Sequence, residues 1–321
     1  MSHARAVALM VVVTLMWSIA GVVTRHLQAA SGFEITFWRS FFNALALVLL
    51  LAGWRGPASL WRSLQGGGRA LWLSGVCWSV MFTAFMMALT LTTVANVLVT
   101  MALGPLLTAL LARAALGHPV PARTWAAIAV AGLGITWMYG TEVNGAEPRH
   151  LAGILVAAAV PTAAAVNWTV IQHTRGSSRP ENQDMLPAVL IGAALSALLT
   201  LPLAWPLGAS AHDVSLLAML GLVQLAIPCL MAVSLTRVLS APEIALLALL
   251  EVVFGVAWAW LGAGEQPSVA VLGGGVLVLG ALVANEAWAM RARLKCGHPA
   301  PEYRSHPPSG CSAALGRPGD D

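Results

Sequence analysis

Ten apolar stretches, each close to the roughly 20 residues a helix needs to cross a bilayer, make up most of this chain. They run over 6–24, 35–53, 70–90, 94–115, 122–140, 151–172, 186–206, 214–235, 242–262 and 268–289, joined by connections too short for a soluble domain. In hydrocarbon every backbone amide must find its partner inside the protein, so helices or a closed barrel are the only spanning forms. Runs of this length without alternating polarity read as helices. Charged residues are 9% of 321 positions, against about 25% in soluble domains, so lipid must cover what polar groups do not. The expected fold is an all-α integral membrane protein with ten transmembrane helices.

The first stretch, Ala6–Thr24, is longer than a signal-peptide core of roughly 7–15 residues, and no small-residue cleavage site closes it. It reads as a retained first helix. Alternating ten helices from a cytoplasmic N-terminus puts fourteen of the seventeen Lys and Arg on the inner side. Arg25 and Arg149 fall outside, and Arg39 lies within the second stretch. Cytoplasmic loops carry such an excess, so the net charge of +4 reports topology rather than a nucleic-acid partner. Both termini are expected inside. Sixteen arginines against the single Lys295, with abundant Ala and Gly, point to a GC-rich bacterial genome and a bacterial inner membrane.

Cys77 and Cys229 sit in apolar stretches, and Cys296 and Cys311 in a tail on the reducing side, so no disulfide framework is expected. The tail, 291–321, also carries His298 and His306, but none of its pairs has metal-ligand spacing, and its Pro, Gly and Ser read as disorder. Neither a metal nor a cofactor is expected.

The stretches fall into two sets of five, 1–140 and 141–290, divided by the polar segment Thr141–His150. A shift of 147 residues lays Leu103-Gly104-Pro105 on Leu250-Glu251-Val252 and Gly117-His118 on Gly264-Glu265; a shift of 150 sets Arg25 against Arg175 and Trp17 against Asn167. Because five is odd, the second unit enters the membrane from the opposite side. The halves are then inverted repeats, which enclose a site near the midplane.

These landmarks resemble the EamA-type permeases of the drug/metabolite transporter superfamily over about residues 5–290. The resemblance rests on Trp17 followed by small residues, on Arg39 early in the second helix, and on Gly104-Pro105 in the fourth. It continues in Ala241-Pro242-Glu243 through Leu250-Glu251, and in Gly264-Glu265 closing the ninth. His118 and Val252 depart from the family pattern, which has Glu and Pro there. The resemblance implies a ten-helix carrier.

Ionisable groups in a membrane are costly and usually face an interior cavity, which singles out Glu251 in mid-helix nine. It is expected to bind a proton or recognise a cation; the plainer reading is a neutral carboxyl fastening two helices. Arg39, on one face with Asn43, either snorkels to the outer headgroups, gates that side, or reaches Glu251. Ser18, Thr83, Asn167 and Gln224 are mid-helix polar groups that hydrogen-bond either a solute or a neighbouring helix. Glu251, Phe254, Gly255 and Trp258 share one face, suited to a cationic or aromatic solute, though Trp258 and Trp260 also suit an interfacial belt. Pro105, Pro161 and Pro228 are expected to kink helices four, six and eight. Gly273-Gly274-Gly275 reads as a helix-packing surface.

No metalloprotease, nucleophile-elbow or phosphate-loop motif occurs, so neither an enzyme nor hydrolysis-driven transport within this chain is expected. The reading is a secondary transporter of a small organic metabolite, such as an amino acid or related amphipathic compound, working by alternating access. Its partners are the solute, the lipid bilayer and, as candidate coupling ion, protons, in a monomer or homodimer. The alternative is a non-transporting scaffold or sensor on the same bundle, packed shut around Glu251.

Overall fold

The computed structural model describes residues 1–116, 122–143, 148–175, 184–239 and 241–295. Gly117-His118, Arg179 and the tail residues Cys296, His298, His306 and Cys311 lie outside the described residues. Every described element is a helix. In chain order these are α1 (His3–Ser18), α2 (Ala20–Thr24), α3 (Gly32–Arg55), α4 (Pro57–Gly66), α5 (Arg69–Leu91), α6 (Val94–Met101), α7 (Gly104–Leu116) and α8 (Ala122–Val143). Then come α9 (Pro148–Arg175), α10 (Leu186–Ala204), α11 (Ala211–Met219), a π-helical segment (Leu220–Ala226), α12 (Ile227–Leu235), α13 (Ala241–Ala263) and α14 (Val269–Lys295).

All ten expected stretches are helical, three of them with interruptions. The first breaks at Ile19 between α1 and α2, the fourth at Ala102–Leu103 between α6 and α7, and the eighth changes register through the π-helical segment. Six helical spans are long and apolar enough to cross a membrane: His3–Thr24, Gly32–Arg55, Arg69–Leu91, Pro148–Ile171, Leu186–Ala204 and Ala211–Leu235. Shorter apolar helices occupy the remaining four stretches. Helix α14 runs on to Lys295, past the 289 at which its stretch was expected to end.

Two of the three prolines stand beside interruptions. Pro105 opens α7, where its missing N–H costs nothing. Pro228 opens α12 and cannot donate to the carbonyl of Gln224, four residues back; the chain there widens, with Ile227 N–H bonding Leu222 C=O instead. Pro161 lies inside α9, which is one helix from Pro148 to Arg175.

Helix α4 is a feature absent from the sequence reading. Gly56, at φ 80°, ends α3 and turns the chain into this ten-residue helix, whose Leu60 is buried while Trp61 and Arg62 are exposed. Its apolar face is too short to register as a stretch.

The helices pack in a definite pattern. Helix α5 lies along α9 and α10, α10 also along α3, α8 along α14, and α1 along α12 and α13. The π-helical segment packs on α3, α7 on α9, and α6 on α13. The glycine triplet meets its neighbours as expected: a Cβ on Gly273 would touch Trp137, and one on Gly275 would touch Val99.

Connections that follow odd-numbered stretches meet at one end. There Arg25 pairs with Glu265 at 3.0 Å and donates to the carbonyls of Leu89 (3.0 Å) and Thr92 (2.9 Å), while Arg149 donates to Thr90 C=O at 3.1 Å. Two arginines thus satisfy the open C-terminal carbonyls of α5. Glu265 caps the N-terminus of α6 by accepting from Val94 N–H at 3.1 Å. Gly264, at φ 65°, takes the left-handed turn that ends α13 and aims Glu265 there. At the same end the wholly buried Asp213 accepts backbone N–H groups of Gln28 (2.9 Å), Ala29 (2.8 Å) and Ala30 (3.0 Å), and Glu34 accepts from Ala209 N–H (2.7 Å). At the opposite end, Arg55 pairs with Asp184, which also accepts from Ser63.

Candidate functional site

A cavity of about 140 Å³ opens in the middle of this bundle. Helix α5 supplies Trp78, Phe82 and Phe85, spaced four and three residues apart and therefore on one helical face. Trp17 comes from α1, and Trp168 from α9, its ring edge-on to Trp78 at 5.9 Å between centroids. The interruption between α6 and α7 contributes Met101, Ala102, Gly104 and Pro105, and α9 sets Pro161 opposite. Gln224 enters from the π-helical segment and Glu251 from α13.

Glu251 is only 7% exposed, yet its carboxylate takes no hydrogen bond from any described residue. It is the carboxylate on the cavity wall; among the described lining residues there is no Lys, Arg or His.

Arg39 sits immediately behind that wall. Its Nε and Nη2 both donate to Gln224 Oε1, at 3.1 and 2.7 Å, and its guanidinium lies over the Phe85 ring, 5.5 Å from the centroid. Gln224 Nε2 donates in turn to the Trp17 carbonyl at 3.1 Å. Gly221 makes this contact possible, since a Cβ there would come within 2.7 Å of Asn43 N and 2.9 Å of Arg39 C=O. Arg39 and Glu251 attract one another across this wall, but they form no ion pair within 4.0 Å. Arg39 Nη1 and both side-chain polar atoms of Asn43, one turn on, are buried without a hydrogen-bond partner.

The snorkelling arrangement for Arg39 therefore does not occur. Helix α3 starts at Gly32, not 35, which places Arg39 about 10 Å inside the helix end, and the residue is 1% exposed. Once that deep, a guanidinium needs a buried acceptor, and the Gln224 amide provides one.

Of the residues singled out by sequence, Trp17, Gln224, Glu251, Pro105 and Pro161 come together on the cavity wall, with Arg39 directly behind. Pro228 is buried next to Cys229, which does line the cavity. Asn167 does not reach it: the residue is buried between α9 and α5 and accepts from Ser74. Trp258 is 41% exposed on the outside of α13, and Gly255 of the same face packs against Leu98. Thr83 bonds Ser196 of α10, and Ser18 bonds a carbonyl of its own helix. The aromatic face of α5 and Trp168 were missed, although the Trp78, Phe82, Phe85 spacing is visible in the sequence. Among the described residues no three His, Cys, Asp or Glu side chains cluster as a metal site would require.

Residues 4–140 match the model of the EamA-like transporter family. No curated protein matches the sequence significantly. Sixteen chains of solved structures do match. One, described only as the crystal structure of a protein, superposes with a TM-score of 0.63 at 19% identity, covering 91% of this chain and 99% of its own. At that identity the likeness is one of fold.

Proposed function

We propose that this chain, whose residues 4–140 match the EamA-like transporter family, is a multi-pass membrane transporter of the drug/metabolite type that moves a small organic, amphipathic solute by alternating access. The observation that carries the reading is the central cavity with Glu251 on its wall. A scaffold or sensor would have had this space filled by side chains.

Ten membrane-crossing helices in two inverted five-helix repeats are part of the proposal, and the packing pattern supports them. Numbering the stretches one to ten and adding five to each turns the third–sixth contact into the eighth–first. The third–seventh becomes the eighth–second, and the first–ninth becomes the sixth–fourth. The fifth–tenth, second–seventh and fourth–ninth contacts map onto themselves. A duplicated unit inserted in opposite senses yields such a pattern.

A central cavity with one end of the bundle tied supports alternating access. Its lining spans both halves of the bundle: Trp78, Trp168 and Ala248 lie in the halves of their helices nearer the Arg55–Asp184 end, and Trp17 and Phe85 in the halves nearer the other. The other end is tied shut by Arg25, Glu265 and Asp213. The Arg55–Asp184 end is the cytoplasmic one in the orientation read from the basic residues, and the proposed setting is a bacterial inner membrane with both termini inside.

Proton coupling runs through Glu251. The charged or titratable groups facing it are Arg39 from α3 and Cys229 from α12. Reconstitution into proteoliposomes with a metabolite panel tests transport directly, with saturable flux across a pH gradient as the expected result. Glu251→Gln then abolishes the pH dependence of that flux; an unchanged pH profile removes Glu251 from the coupling.

A further inference from the structure

We infer that the cavity selects a cationic nitrogen carried on an apolar, ring-containing body, with Glu251 as its counter-ion; the inference rests on the cavity being the solute site. Five aromatic residues, Trp17, Trp78, Phe82, Phe85 and Trp168, line the same cavity as that carboxylate. The face of each ring carries negative partial charge, so a desolvated cation gains from both rings and carboxylate, and an anion loses to both.

The side-chain amide and the hydroxyl on the wall are held by protein partners. Gln224 gives its carbonyl oxygen to Arg39 and one of its two amide N–H bonds to the Trp17 carbonyl. Arg39 is not on the cavity wall: two of its nitrogens are committed to Gln224, and Phe85 lies beneath its plane. Thr108 donates to the Gly104 carbonyl of its own helix at 2.8 Å. By contrast Glu251 accepts nothing from any described residue. A nearly buried carboxylate with open lone pairs in a cavity lined in part by aromatic residues is complementary to an ammonium.

The solute class is thus a ring-bearing amine or quaternary ammonium.

The test is equilibrium binding to the full-length protein in lipid nanodiscs by titration calorimetry, with benzyltrimethylammonium as the permanently charged cation and phenylacetate as the anion of similar body. Benzyltrimethylammonium is expected to bind saturably and at least tenfold more tightly than phenylacetate. Glu251→Gln should weaken the cation at least tenfold without weakening phenylacetate, and Trp168→Ala should weaken the cation several-fold. Equal or tighter binding of phenylacetate, no saturable cation binding, or an unchanged cation affinity in Glu251→Gln overturns the inference. If that variant does not fold, the wild-type preference between the two probes decides alone. Saturable flux of anions would leave a transporter without a cation site; cation binding with no flux of any solute would leave the site and remove the transporter.

Discussion

Gln224 holds Arg39 through one oxygen and two donors, at 2.7 and 3.1 Å, from a turn of π-helix in the middle of the bundle. A buried guanidinium that loses such an acceptor keeps its full desolvation penalty. Gln224→Leu is therefore expected to destabilise the protein by about 2 kcal/mol, the range for a hydrogen bond to a charged group. Thermal unfolding of the purified protein measures it, and a melting temperature equal to wild type would mean that Arg39 is satisfied some other way.

The seat of that turn is as exacting as the bond. Gly221→Ala forces a methyl to within 2.7 Å of the Asn43 nitrogen and the Phe42 Cβ, which are backbone or near-backbone atoms that cannot swing away. The expected cost is about 1–3 kcal/mol, as for other overpacked contacts. Solute affinity should fall with it, because Gln224 and the cavity wall shift together. A stable Gly221→Ala protein with unchanged binding would show that the π-helical register is indifferent to this contact.

At the closed end, Arg25 and Glu265 retain 30% and 19% side-chain exposure, so the pair itself should contribute under about 1 kcal/mol in a double-mutant cycle. Its larger effect is on access. Cys229 lines the cavity and serves as a native reporter once Cys77, Cys296 and Cys311 are replaced by Ala. In wild type a membrane-impermeant thiol reagent should reach it from the Arg55–Asp184 end only. Arg25→Ala should raise labelling from the other end several-fold, and labelling that stays one-sided would mean that another contact keeps that end shut.

Asp213 gathers three backbone N–H groups on one carboxylate. Asp213→Asn retains a single acceptor oxygen and brings an N–H₂ toward donors, so about 1–3 kcal/mol should be lost. The first connection should loosen as a result, read as faster amide exchange at 28–30. Exchange as slow as wild type there would show that Glu34 and Ala209 suffice to hold the loop.

Much of this molecule was readable from residue order because hydrocarbon leaves the backbone so little choice: all ten stretches are helical. What escaped was register. The break at Ile19 has no proline to announce it, and the π-helical turn depends on Pro228 together with the approach of α3, a contact between residues far apart in sequence. Arg39 was assigned to the wrong depth because Gly32, Phe33 and Glu34, before Ile35, still belong to α3, held by the Ser31–Glu34 capping box. That box is legible as S-x-x-E and could have fixed the helix start. Asn167 and Trp258 were picked by chemistry alone, and only packing reveals that one faces a neighbouring helix and the other the exterior.

The neighbour pattern cuts across the two proposed five-stretch repeats. Stretches two, three, seven and eight form one tightly knit block, and four, five, nine and ten another, with α5 against α6 as the direct seam between them and stretches one and six leaning on both. A rocking motion follows the thinnest joint, so each mobile lever would be assembled from both proposed repeats. Severing the chain at its midpoint would then yield two fragments, neither of which is a mechanical part.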